Sequence, residues 1–142
     1  MKSTFKLEKV IPTKNQIDIL YMQLKARKYS ISHKNLPTYK EHEKFVFNNP
    51  YRKWFIIKLD HLSKGNMYVQ FDNSIGINGF EDLDAYTLKK LLDLLFSIIK
   101  PLAPIPSLRY KDFSFNISIK NKLLIKNLER IGYKKSQITF VK

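Results

Sequence analysis

Three histidines, twelve carboxylate side chains and no cysteine are the groups in this 142-residue chain that could move a proton, attack a substrate or hold a metal. The missing cysteines remove a thiolate nucleophile, a disulfide frame and any Cys-ligated zinc or iron–sulfur site, and they suit a reducing, cytoplasmic setting. His33, His42 and His61 stand apart, with no partner four residues away and no carboxylate at ligand spacing, so no metal is expected. His33 and His61 lie in polar stretches. His42 follows Glu41 in a segment of helical spacing that carries Phe45 and Val46 on the same face.

The net charge of +14 would favour nucleic acid, an acidic membrane or an anionic small substrate. Only Arg27, Arg52, Arg109 and Arg130 among the 26 basic residues are Arg, however, and Arg is the residue that makes bidentate phosphate and base contacts. Scattered lysines in an Ile- and Asn-rich chain read first as a solvated surface. Tyr51, Trp54 and Tyr110 beside Arg52, Lys53, Arg109 and Lys111 are the feature that could stack bases next to cations. Met1 to Lys6 is interrupted by charge before any apolar core of a secretory signal. The most apolar stretch, Leu83 to Ile99, carries Asp84, Lys89, Lys90 and Asp93, and reads as a buried helix rather than a membrane span.

The elements that must position these groups follow from periodicity. With 44% hydrophobic residues the chain can bury one core, and its length suits one domain. Thr4 to Val10 alternates as a strand. Thr13 and Gln16 form a capping-box pattern for a helix from Lys14 to about Lys28, with Ile17, Leu20, Tyr21 and Leu24 on one stripe. Thr38 and Glu41 repeat the pattern for a short helix that Asn48-Asn49-Pro50 stops. Lys53 to Leu59, Asn66 to Phe71 and Ser74 to Phe80 read as an antiparallel meander, turned at Ser63-Lys64-Gly65 and at Asp72-Asn73. A long helix starts at Asp82 or Asp84 and ends at Lys100, before Pro101, Pro104 and Pro106. Phe113 to Ile119 alternates strictly as a strand. Asn121 caps a helix striped by Leu124, Ile125, Leu128 and Ile131, Gly132 ends it, and Ile138 to Val141 is a last strand. The order β-α-α-β-β-β-α-β-α-β is that of a single-domain α/β (α+β) fold with a mixed central sheet.

That order, together with Asn121-Lys-Leu-Leu-Ile-Lys-Asn-Leu128-Glu129-Arg130-Ile131-Gly132-Tyr133, resembles the GNAT acyltransferase superfamily. Many members read Asn-x-x-Ser-x-x-x-Tyr-Glu-Lys-Leu-Gly-Phe after the fifth strand, and the spacing here is kept without a gap. Ser30, Ser32, Thr38, Glu41, His42 and Trp54 look like the front of GNAT enzymes that acylate amino groups on nucleotide-linked sugars. The resemblance implies a GNAT-like fold whose strands splay beside the central helix to admit acyl-CoA. It implies an acyl-CoA-dependent N-acyltransferase, with acetyl-CoA as cofactor, acting on a small amine such as an amino sugar. In that setting His42, Glu41, Asp72 and Glu81 are candidates for the base that deprotonates the amine. The backbone of Ile75, Gly76 and Ile77 would polarise the acyl carbonyl, with Gly76 marking a bulge or a close backbone approach. Gly79, Lys89 and Asn121 are candidate cofactor contacts.

Two departures bear on that chemistry. The family's pyrophosphate loop, Arg/Gln-x-x-Gly-x-Gly/Ala, uses glycines so that backbone N–H groups can approach the phosphates at a positive helix end. The segment here, Gly79-Phe80-Glu81-Asp82-Leu83-Asp84, has one glycine and three carboxylates. At ~4–6 Å and an effective dielectric near ~20, one like-charge pair costs about 3–4 kcal/mol, which Lys89 and Lys90 would have to offset. Leu128 also stands where many members carry the tyrosine that protonates the CoA thiolate, and Tyr133 is not equivalent by spacing. Two alternatives therefore stand beside the transferase: a GNAT-like binding or regulatory module without catalysis, and a basic nucleic-acid-binding protein. A homodimer is compatible with the sequence.

Overall fold

Alternating and helical patterns resolve into four helices and one five-stranded mixed sheet, in a computed structural model that describes residues 4–27, 35–80 and 82–142. The order is β1 (Phe5–Lys9), α1 (Lys14–Lys25), α2 (Tyr39–Phe47), β2 (Lys53–Leu59), β3 (Leu62–Val69), β4 (Ser74–Gly79), α3 (Ala85–Ile98), β5 (Ser114–Phe115) and α4 (Lys122–Arg130). The strands lie side by side in sequence order; β1 to β4 pair antiparallel and β4 with β5 parallel. The architecture is α+β.

The helix starts obey the capping rules. Thr13 caps α1 and Thr38 caps α2 in a complete capping box with Glu41. Gln16 departs from its expected part. Its amide oxygen accepts from Ile11 N–H, and its NH₂ group donates to the Lys9 carbonyl and to Glu8, so it ties α1 to the end of β1.

The first hairpin turn lies elsewhere than expected, and the second, at Asp72-Asn73 as expected, is one residue longer. Leu59 pairs with Leu62, so β2 and β3 are joined at Asp60-His61, whose φ values of 50° and 72° fit a two-residue hairpin of inverted twist. Ser63, Lys64 and Gly65 are part of β3. A register shift between Ile57 and Lys58 absorbs one extra residue there. Gly65 is needed because a Cβ would overlap the Asn78 carbonyl. The β3–β4 loop holds three residues, with Asn73 at φ 67°, and Phe71 is exposed in it rather than in the strand.

Strand alternation splits the core in two. Phe55, Ile57, Met67, Val69 and Ile75 point to one face, against Leu88, Leu91, Leu92 and Leu95 of α3 and Leu128 of α4. Trp54 and Ile56 point to the other, against Ile17, Leu20 and Val46 of α1 and α2. The segment 138–141 forms no strand. Ile138, Phe140 and Val141 are 76, 91 and 90% exposed and pair with no strand among the described residues.

Candidate functional site

The β4–β5 seam is two rungs long. Ser74 faces Ser114 and Ile75 faces Phe115, and pairing then stops, although 113–119 alternates as a strand of seven residues would. The closed end is clamped by Asn73, which is buried. Its backbone carbonyl accepts from Ser114 N–H at 2.9 Å. Its side-chain NH₂ donates to the Leu102 and Tyr110 carbonyls, and its side-chain oxygen accepts from Leu102 N–H. Past Ile75 the two segments border a cavity of about 740 Å³. Ile75 to Asn78 form one wall, Phe115 to Ser118 the other, and Asn121 and Leu124 of α4 close one side. The cavity continues under α1 and α2, past Leu20, His42, Trp54, Asn66 and Tyr68. Its size is within the range of small-ligand pockets, roughly 300–1,000 Å³.

Pairing geometry decides which β4 groups face the opening. Opposed residues in an antiparallel pair alternate between exchanging both backbone hydrogen bonds and turning them outward. Gln70 N–H donates to the Ser74 carbonyl at 2.9 Å. In this register the opposed pair Tyr68 and Gly76 turn their backbone groups toward each other, while Ile75 and Ile77 present theirs toward β5. Gly76 N–H is thereby committed to β3. Ile75 sits at the last rung, and Ile77 is the first residue past it whose backbone groups face the opening. Gly76 marks no bulge, since the β3–β4 register runs unbroken through it. Its close approach is to a side chain: a Cβ at Gly76 would overlap the phenol of Tyr68.

Tyr68 stacks on Tyr51, with ring centroids 4.1 Å apart and planes 10° from parallel. Burial pushes both phenols above their ordinary range, against a smaller opposing effect of Arg27. Beside them Asn66, itself buried, joins three elements. Its side-chain oxygen accepts from the Trp54 indole at 3.1 Å and from Asn78 at 3.4 Å, and its NH₂ donates to Gln23 of α1 at 2.8 Å. Of the aromatic neighbours of the basic residues, Tyr51 and Trp54 are thus occupied with packing, while Tyr110 is exposed and its hydroxyl donates to Gln137. Arg52 and Arg109 likewise donate to backbone carbonyls of Lys100, Ala103 and Phe71.

The expected base candidates scatter. His42 is buried and borders the cavity, with Nε2 3.1 Å from the Ile17 carbonyl, a bond that puts the proton on Nε2. Burial lowers its pKa, opposed by that bond. Glu41 borders the cavity too, but its carboxylate accepts from Thr38 N–H, and the Thr38 contacts hold its pKa low. Asp72 caps the β3–β4 loop by accepting from Ser74 N–H and Oγ, away from the cavity. Glu81 lies outside the described residues.

The cofactor candidates divide similarly. Asn121 caps α4 and borders the opening. Gly79, at φ 78°, lines a small recess of about 30 Å³ with Arg27, Asn78 and Leu83. Lys89 is turned away, paired with Asp93 at 2.9 Å on the outer side of α3. The N-terminus of α3 carries its own anion, because Asp84 accepts from Thr87 N–H at 2.7 Å. Leu128 is buried in the apolar core. The described residues fit a thin chain along the opening and do not form a glycine-rich phosphate loop. Tyr68, Asn66 and Asn73 were missed from sequence; each does its work through a partner distant in the chain.

One solved structure places this architecture among known folds. The crystal structure of a domain from Methanocaldococcus jannaschii DSM 2661 is similar, with a TM-score of 0.66 over 96% of this chain and 92% of that one. At 20% identity the likeness is one of fold. No family model and no curated protein matches the chain.

Among the described residues no helix is long and apolar enough to cross a membrane, and no group of three or more His, Cys, Asp or Glu residues could hold a metal.

Proposed function

We infer that this chain is a GNAT-like, acyl-CoA-dependent N-acyltransferase acting on a small amine, in the cytoplasmic setting its lack of cysteine suits. The observation that carries the reading is the two-rung β4–β5 seam opening into a cavity of about 740 Å³. Past the seam, among the described residues, Ile77 N–H and the facing wall 116–118 have no partner across the opening, which suits a pantetheine arm with its own amide groups. The acceptor amine would approach from the α1–α2 side, where the lining is Asn66, Tyr68, Glu41 and His42. Amino sugars are the acceptor class to test first.

A second reading, a binding module without catalysis, is favoured by one specific feature: Asp84 already satisfies the start of α3, and an anion there repels a pyrophosphate. Thermal-shift titration with acetyl-CoA tests the transferase, which must bind the cofactor despite that anion. At a hundred times Kd the gain is about 2.7 kcal/mol, a rise in Tm of several degrees. No shift at millimolar acetyl-CoA would count against the transferase. Absence of acetylation across a panel of amino sugars and small amines would leave the module, and turnover of any of them would dispose of it.

A further inference from the structure

We propose that the Tyr68 hydroxyl is a side-chain hydrogen-bond donor to the acyl carbonyl oxygen, acting beside the Ile77 backbone N–H at the β4–β5 opening. This assignment rests on the transferase reading. Four observations place it. Tyr68 lies on β3, yet its ring crosses β4 at Gly76, where no side chain blocks it. Gly76 is the first residue past Ile75, the last paired one, and precedes Ile77, so the phenol sits where the strands part. Tyr68 and Gly76 both line the cavity. Among the described residues the hydroxyl has no hydrogen-bond partner, while stacking on Tyr51 fixes the ring.

In the reaction the amine nitrogen attacks the thioester carbon. A C–N bond forms, and the carbonyl π pair moves onto oxygen. That pair returns as the C–S bond breaks, and the thiolate leaves with the bonding electrons. The amine proton passes to base and, in net terms, to the thiolate. Tyr68 transfers nothing; it holds its proton and shares it with the oxygen while that oxygen is negative. Burial, which keeps the phenol protonated well past neutral pH, serves a donor and would handicap a base.

The test uses the full chain and acetyl-CoA labelled at the acetyl carbonyl, read by isotope-edited infrared spectroscopy, with affinities from calorimetry. In the wild type the bound carbonyl stretch should fall below its frequency in Tyr68→Phe, with Kd nearly unchanged. Tyr68→Phe keeps the ring that stacks on Tyr51. Gly76→Ala, which displaces the phenol without removing it, should lose the same shift. Transfer to an acceptor should drop about a hundredfold in kcat for Tyr68→Phe, with little change in KM. Equal carbonyl frequencies in bound wild type and Tyr68→Phe would overturn the assignment and leave the transferase reading standing. Failure of the wild type to bind acetyl-CoA would overturn both.

Discussion

The same strands build two unlike faces. On β2 and β3, Phe55, Ile57, Met67 and Val69 meet the leucines of α3 in a large apolar core, at whose edge the buried Asn127 of α4 donates to the Leu83 carbonyl. Their neighbours Trp54, Ile56, Asn66 and Tyr68 meet α1 and α2 in a smaller cluster threaded by amides and bordered by the cavity. The α3 side gives rigidity through area, whereas the α1–α2 side gives recognition through a few directional groups and empty space. Gln23 Nε2, buried without a partner among the described residues, belongs to this second face. A sheet packed equally well on both sides would have no room for a substrate.

Leu91→Ala attacks the first face where it is densest. Leu91 is fully buried, so truncation should cost about 2–5 kcal/mol in urea denaturation while leaving acetyl-CoA affinity intact. A cost below ~1 kcal/mol would mean that the α3 face is not close-packed. On the second face Asn66→Ala strands the Trp54 indole and Gln23, and should cost about 1–3 kcal/mol. Asn66→Ala should also weaken acetyl-CoA binding or transfer, which Leu91→Ala should not, and the reverse pattern would invert the division of labour.

The faces should also differ in acid. Burial holds the His42 imidazole below its ordinary 6.5. Below about pH 6.5 the unfolded chain therefore takes a proton that the folded chain resists, and stability falls as pH drops from there toward the folded value. Above that window the group contributes no slope. Denaturation midpoints between pH 7.5 and 5.5 should decline in the wild type and decline less in His42→Gln, whose amide can still donate to the Ile17 carbonyl. Deleting residues 138–142 should have the smallest effect, within about 0.5 kcal/mol, since Ile138, Phe140 and Val141 touch neither face. A large loss would place that segment in an interface.

How much was legible differs by element. The strand and helix patterns of 5–25 and 39–59 were readable because burial on one face imposes a period, and Thr13, Thr38, Asp84 and Asn121 marked their helix starts through a local bond three residues on. The segment 113–119 had the strand pattern and only two paired residues, because alternation reports exposure on two sides and not the presence of a neighbour. His42 was one of four base candidates; its burial and its bond to a backbone carbonyl 25 residues away were not legible in the sequence.

The sequence by itself determined the α+β class and the order of the elements from β1 to α4, though not the absence of the strand expected at 138–141. Period, capping and turn chemistry are properties of neighbours along the chain. Tertiary structure decided the register. A two-residue turn at Asp72-Asn73 would set Tyr68 against Ile77, but the three-residue loop, held open by Asn73 at positive φ, sets it against Gly76. One residue of slip would turn the Ile77 backbone groups into β3 and put a side chain beneath the phenol. Register is fixed by a turn and by packing across strands, which is why the opening could be expected from sequence but not furnished by it.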